Sequence, residues 1–394
     1  MITVEEAEQI LKSRMPQWGE IAVDIEDPVA LINAEPLFAD RSYPSINRVT
    51  MDGIAVAWSA YSKGVRRFPI VGVCSAGSKE QTLKDETHCF EVMTGAPLPE
   101  GAGLVIQYEH LLIQDGEAVV SIDQDRVEFE NVHRQGSDYS TGDCLLESGS
   151  MMHAPQWGIA ASLGYAKLKC LKNPKVKIIS TGDELVDVSK TPLAHQIRRS
   201  NSHALKASLL QNGYQHVDLD HVLDDEPTMA KHYDQNKAAY DLLIYSGGVS
   251  KGKFDYLPEV WRKAGVQKYF HEVSQRPGKP LWFGVDEKSK TAVLGLPGNP
   301  ISSLVCLHRY LISTRPLYAR LQGDIHFSKN LTFFVPVKMS VSEEAILNAT
   351  PVVPKNSGEF ASLAQTDGFI ELPKDKSHFR SGESFRFYPW KVLL

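Results

Sequence analysis

Residues 174–185 read PKVKIISTGDEL. Val176, Ile178 and Ile179 form a β-branched run that ends in Ser180-Thr181-Gly182-Asp183-Glu184, a strand delivered into a polar, glycine-containing turn. Downstream, a helix over about 200–212 precedes a strand near 215–222, a helix over 227–240 and the strand-plus-loop DLLIYSGG at 241–248. A helix at 256–264, the strand TAVLGL at 291–296 and a long helix at 299–318 complete the series. Strands alternating with helices in this way predict βαβ units on a doubly wound parallel sheet.

The texture differs on both sides of this block. Residues 3–14 read as a helix with Thr3 as N-cap. Residues 45–140 carry short apolar runs between Gly, Pro and Asp-Gly signals, and Asp115-Gly116 marks a hairpin. Residues 151–170 read as a short helix leading back to the N-terminal region, and after about 328 the pattern is again β. The expectation is an α/β multidomain chain in four parts. These are a discontinuous helical and extended N-terminal domain (1–44 plus 141–173), a β-rich inserted domain (45–140), the α/β domain (174–327) and a C-terminal β-barrel-like domain (328–394).

Composition narrows the class. A length of 394 residues suits several domains. The 42 Lys+Arg against 48 Asp+Glu give a net charge of −6, which argues against a nucleic-acid partner. With 42% hydrophobic and 23% charged residues, disordered and collagen-like classes are excluded. The acidic N-terminus lacks a signal-peptide pattern, and no apolar stretch is long enough to span a membrane. The five cysteines are scattered and form no C-x-x-C pair. A cytoplasmic protein with reduced thiols and no membrane partner is expected. The 13 histidines show no metal-binding spacing, and no G-x-S-x-G elbow supports a serine triad.

In a doubly wound sheet, ligands bind beyond the carboxyl ends of the strands. Three loops fall there: Ser180–Glu184, Ser246–Asp255 and Leu296–Pro300. Gly247 through Lys253 fits G-x-x-x-x-G-K, but Phe254 stands where a P-loop needs Ser or Thr for Mg²⁺. The loop, with Ser246, Gly247, Gly248, Ser250 and Gly252, reads either as a phosphate cradle of backbone N–H groups or as a plain strand-to-helix turn. Asp255 reads as a helix N-cap or as a carboxylate for Mg²⁺ or proton transfer, and Asp183 and Glu184 pose the same choice. Asp224 and Asp225, just before Glu226-Pro227, favour capping. Arg276 and Lys279 in RPGKP offer cations to an oxyanion. Pro297, Gly298 and Asn299 lead into a helix whose first N–H groups are a second anion site.

Together MDG (51–53), MTGAPLPEGA (93–102), STGDEL (180–185), SNS (200–202), SGGVSKGKFDY (246–256), RPGKP (276–280) and GLPGNPISS (295–303) resemble the MoeA and gephyrin E-domain family of molybdopterin molybdenumtransferases. The resemblance covers nearly the whole chain. It implies a homodimer of four-domain subunits and a MogA-like α/β domain with the pterin-nucleotide site. It also implies an active cleft formed with the β-rich insertion of the other subunit. The implied reaction is Mg²⁺-dependent insertion of molybdate into adenylated molybdopterin with release of AMP, with transient contact to a MogA-like adenylyltransferase. By motif it assigns Asp52, Thr94, Asp138, Glu184, Asp255 and Lys279 as catalytic. Asp224 or Asp225 matches the family's acidic pair; with Glu184 and Asp255 these are the candidate Mg²⁺ ligands. Ser362 is a looser match in the C-terminal domain, after Asn356-Ser357-Gly358.

The chain departs from the family pattern at Asn47-Arg48-Val49-Thr50, where an acidic residue and a serine are lost and Arg48 is gained. Arg276 and Lys251 add positive charge near the anion loops. Two competing readings follow: a CinA-type nucleotide pyrophosphatase or amidohydrolase on the same α/β module, and a non-catalytic molybdopterin-binding scaffold.

Overall fold

The computed structural model describes residues 1–29, 31–250, 252, 255–312, 317–354 and 358–390. The chain divides into two compact units, one of Met1–Glu20 with Leu171–Leu394 and the other of Ile21–Cys170. Among the described residues the α-helices are α1 (Val4–Arg14), α2 (Trp58–Ser62), α3 (Ala154–Ser162), α4 (Ser200–Gln211), α5 (Glu226–Asn236), α6 (Leu257–Lys263) and α7 (Pro300–Leu307).

The first unit is built on a six-stranded sheet. Strands 216–222, 175–181, 242–246 and 291–296 run parallel in that spatial order. Strands 282–286 and 267–271 extend the sheet antiparallel. The sequence pattern does not predict the edge strand QKYFH, which exposes Gln267 and Lys268 and lacks a clear apolar alternation. Successive residues of the central strands point to opposite faces. Val176, Ile178, Leu242 and Ile244 pack with α1, α4 and α7, whereas Ile179, Leu243, Tyr245 and Val293 pack with α5 and α6. Burial on both faces explains why these strands read as unbroken apolar runs.

Two boundaries differ from expectation. Thr3 and Glu6 form a capping box on α1, with Glu6 N–H donating to Thr3 Oγ1 at 3.1 Å and Thr3 N–H to Glu6 Oε2 at 2.7 Å. Val4, Ala7 and Leu11 on this helix are buried in the α/β core, so the helix belongs there, and pairing with the 167–172 segment begins only at Gly19 and Glu20. Val23, Leu31 and Leu37 do share a core with Leu146, Trp157 and Leu168.

The expected helix at 299–318 is the second difference. Helix α7 stops at Leu307, continues as one π-helical turn over His308–Ile312, and a strand already begins at Leu317. That strand, 317–321, pairs with 347–351 and 384–389. Strands 332–341 and 368–372 close the ring into a five-stranded barrel. The barrel therefore starts at 317, because its first strand supplies Ala319 and Leu321 to the barrel interior.

The second unit holds a six-stranded sheet in the order 104–107, 53–56, 89–92, 67–74, 117–120, 111–114. The hairpin between its last two strands turns on Asp115 (φ 51°) and Gly116 (φ 80°), the two positive φ values a type I′ turn needs. A Cβ at Gly53 would overlap the Ile106 carbonyl oxygen on the neighbouring strand. The Gly of MDG is therefore a packing requirement of the sheet.

Candidate active site

At the carboxyl ends of the parallel strands the three glycine loops meet. Gly247 has φ +103°, and a Cβ there would lie 2.7 Å from Thr181 Oγ1. The Thr181 hydroxyl is buried without a hydrogen-bond partner among the described residues. Gly247 N–H donates to Leu296 O at 3.1 Å. Asn201, from the SNS segment at the start of α4, donates through Nδ2 to Ser246 Oγ at 3.2 Å and to Gly298 O at 2.6 Å. The sequence signal for this role is an Asn, a weak helix former, in the first turn of a helix.

Around the Ser246–Asp255 loop, Gly248 also has positive φ and Ser250 is exposed. Asp255 does not cap α6, whose N-cap is Tyr256. Its Oδ2 instead accepts the Gly252 N–H at 2.7 Å and closes the loop on itself. Lys251, Lys253 and Phe254 lie outside the described residues.

The structure separates the two aspartates that sequence left equivalent. Asp225 caps α5, its Oδ2 accepting the Thr228 N–H at 2.9 Å and the Thr228 hydroxyl. Asp224 turns the other way: its backbone N–H donates to Asp183 Oδ1 at 3.0 Å, and its own Oδ1 is buried with no partner among the described residues. Burial, then the charges of Asp183, Glu184 and Asp255, push the Asp224 carboxyl up to about 6. The Glu184 carboxylate folds back over Gly182, where a Cβ would otherwise sit. Asp183, Glu184 and Asp255 thus all bear on Asp224 at the strand ends, with His221 offsetting part of their charge, and a carboxylate crowded in this way favours a cation.

The RPGKP turn seats against α7. Gln275 Nε2 donates to Gly278 O at 3.0 Å and to Cys306 Sγ at 3.3 Å. Arg276 lies 5.9 Å from the centre of the Phe327 ring. The Lys279 ammonium is half exposed, with Nζ 3.8 Å from Glu272 Oε1. In PGNP, Asn299 is the N-cap of α7 and Pro300 follows at its first position. The Ser303 hydroxyl donates to the Pro297 carbonyl and fixes this bend. Ser362 donates to the Glu359 carbonyl at 2.9 Å within a 3₁₀ turn. No hydrogen bond among the described residues ties it to the glycine loops, and Asn356 and Ser357 lie outside them.

The remaining candidates sit in the other unit. Asp52 Oδ1 accepts the Thr94 N–H at 2.6 Å and the Thr94 hydroxyl at 2.7 Å, which lowers the Asp52 pKa. Asp138 Oδ1 lies 2.6 Å from His133 Nε2 and accepts Ser137 Oγ at 3.2 Å. The His133 bond is the first cause holding Asp138 below its ordinary value. In the altered segment, Arg48 reaches Tyr43 Oη at 3.2 Å and His133 Nδ1 at 3.2 Å, and Asn47 Oδ1 accepts the Gln135 N–H at 2.9 Å.

A doubly wound domain whose strand ends carry glycine loops and clustered carboxylates, in a chain that also holds a β-rich unit and a closed barrel, defines a multidomain α/β protein with anion-binding features. Residues 2–164 match the MoeA N-terminal region (domain I and II), 177–317 a probable molybdopterin binding domain, and 318–390 the MoeA C-terminal region (domain IV). The chain is 48% identical over 390 residues to the molybdopterin molybdenumtransferase of Synechocystis, covering 99% of this chain and 100% of the relative. It is 29% identical over 411 residues to that of Haemophilus influenzae, with both chains fully covered. The crystal structure of a molybdopterin biosynthesis MoeA protein from Pyrococcus horikoshii superposes with a TM-score of 0.82 at 25% identity, covering all of both chains. The chain belongs to the MoeA family of molybdopterin molybdenumtransferases.

Proposed function

We propose that this transferase of molybdenum cofactor biosynthesis inserts molybdenum from molybdate into adenylated molybdopterin and releases AMP, with Mg²⁺ assisting. The observation that carries the reading is the convergence of three glycine loops on the cluster of Asp183, Glu184, Asp224 and Asp255, with Asp224 Oδ1 buried and unpartnered among the described residues. The loops offer backbone N–H groups to phosphate oxygens. Lys279 and the start of α7 suit a tetrahedral oxyanion.

The donor set fits Mg²⁺. Among the described residues no three His, Cys, Asp or Glu side chains cage a metal by themselves. Mg²⁺ is usually held by one or two carboxylates together with substrate phosphates. Asp224, with Glu184 or Asp255, would hold it, while Asp225 is committed to its helix cap. Bound there, the ion would neutralise charge on the pyrophosphate. Asp255 orders the loop that receives the phosphates, and Asn201 keeps the Ser246 and Gly298 loops in register.

The pure protein incubated with adenylated molybdopterin, molybdate and Mg²⁺ is expected to release AMP in step with molybdenum uptake. Molybdate-independent hydrolysis of other dinucleotides would favour a CinA-type pyrophosphatase, and binding without turnover a scaffold. The reading includes a homodimer, which light scattering checks, and a transient encounter with a MogA-like adenylyltransferase. It places the reaction in the cytoplasm. Among the described residues no helix is long and apolar enough to cross a membrane.

A further inference from the structure

Arg48 and His133 have no role in the reading above, yet the fold sets them behind Asp138. They lie directly opposite each other on two short antiparallel strands, 48–49 and 132–133, so their side chains share one face of the ribbon. Arg48 is held from its far side. Nη1 donates to Tyr43 Oη at 3.2 Å, the guanidinium lies 5.6 Å from the Tyr43 ring centre, and Tyr43 stacks on Tyr139 at 5.5 Å. The Tyr43 carbonyl in turn accepts the Asp138 N–H at 3.0 Å. Tyr43 therefore carries both ends of the cluster.

Donor and acceptor chemistry then fixes the imidazole. A guanidinium has donors and no acceptor. With Arg48 Nη2 3.2 Å away, His133 Nδ1 accepts through its lone pair. The single ring proton is left on Nε2, directed at Asp138 Oδ1 2.6 Å away. Ser137 Oγ donates to the same oxygen at 3.2 Å. Among the described residues Asp138 Oδ2 has no hydrogen-bond partner.

We propose that Arg48 and His133 form a positioning relay for Asp138. Arg48 holds His133 as the neutral Nε2–H tautomer, and His133 pins Oδ1 so that Oδ2 is left to accept a hydrogen bond from a protonated group of the substrate. The catalytic half of this proposal rests on Asp138 belonging to the working site. Arg48 is thereby assigned to the relay, with one donor on Tyr43 and one on His133.

Long-range ¹H–¹⁵N correlation of the imidazoles tests the relay without reference to turnover. At about pH 8, above the ordinary imidazole value of about 6.5, His133, assigned by its loss in His133→Gln, is expected to show a protonated Nε2 and a bare Nδ1. In Arg48→Met, where Asp138 still faces Nε2 but Nδ1 has lost its donor, a minor Nδ1–H population is expected beside the Nε2–H form. In Arg48→Lys, which keeps a cationic donor group and no acceptor, the Nε2–H form should be restored fully. In the insertion assay, Arg48→Met and His133→Gln are expected to lower kcat on the order of 10²-fold, the scale of a misplaced catalytic group. KM and the thermal midpoint should change little, and Arg48→Lys should recover part of kcat. An Nδ1–H tautomer in the unmodified protein overturns the relay. Unchanged kcat in both relay variants, with turnover lost in Asp138→Asn, overturns the positioning role. Turnover retained in Asp138→Asn removes Asp138 from the site and overturns the catalytic half, while the tautomer result still decides the structural half.

Discussion

Three carboxylates that look alike in sequence do different work. Asp225 is a helix cap, Asp255 closes a loop, and Asp224 is crowded by like charges. Asp225→Ala should therefore cost about 1 kcal/mol, as loss of a cap does, with turnover retained; denaturant titration measures it. Asp224→Asn should do the reverse, lowering AMP release while leaving the unfolding midpoint equal or higher, because it removes a carboxylate repelled by Asp183, Glu184 and Asp255. A lower midpoint would show that its charge is compensated in the free protein. Asp255→Ala should abolish turnover with the fold intact; a stability loss as large as a core deletion would make Asp255 structural. Sequence could not rank these residues. All three stand beside helix starts, and the choice of partner depended on Asp183 arriving from a strand end 41 residues away.

At the scale of elements, the π turn at 308–312 is where sequence was least legible. The apolar pattern continues through it, so the helix reads as unbroken. The turn carries Arg309, almost fully buried, whose Nε donates to Glu371 Oε2 at 2.7 Å and Nη2 to Glu8 Oε2 at 2.8 Å. One guanidinium thus joins α1, α7 and the barrel. Arg309→Met should cost about 3–5 kcal/mol, since it strands a buried carboxylate. Adding Glu371→Gln should restore part of that loss. His308, one residue earlier, is fully buried and donates to or accepts from Ser208 Oγ at 3.0 Å. Burial lowers its pKa from 6.5 to about 4. The unfolded chain therefore binds more protons than the folded one between these values, and stability falls as pH drops from about 6.5 to about 4. The full loss is roughly 3 kcal/mol at 1.36 kcal/mol per pKa unit. In His308→Gln, equilibrium unfolding at several pH values should show a flatter acid limb. An unchanged limb would assign the acid sensitivity elsewhere.

The whole molecule has two compact units with separate cores, and the chain passes between them at 20–21 and 170–171. Calorimetry should resolve more than one transition. Gly53→Ala, which forces a Cβ onto the Ile106 carbonyl, should lower one of them. Arg309→Met should lower the other. A single transition moved equally by both would show that the cores unfold as one. Local pattern by itself determined the parallel strands, the three glycine loops, the capped first helix and the Asp-Gly hairpin. Each of these is encoded by neighbours within a few residues, through alternation, caps and positive φ. Only the tertiary structure decided that α1 joins the sheet, that the barrel begins at 317, that Asp224 and not Asp225 faces the other carboxylates, and that Arg48 sits behind His133, 85 residues away in sequence. Those are choices among chemically equivalent partners, and burial and strand register, which bring distant segments to hydrogen-bonding distance, make the selection.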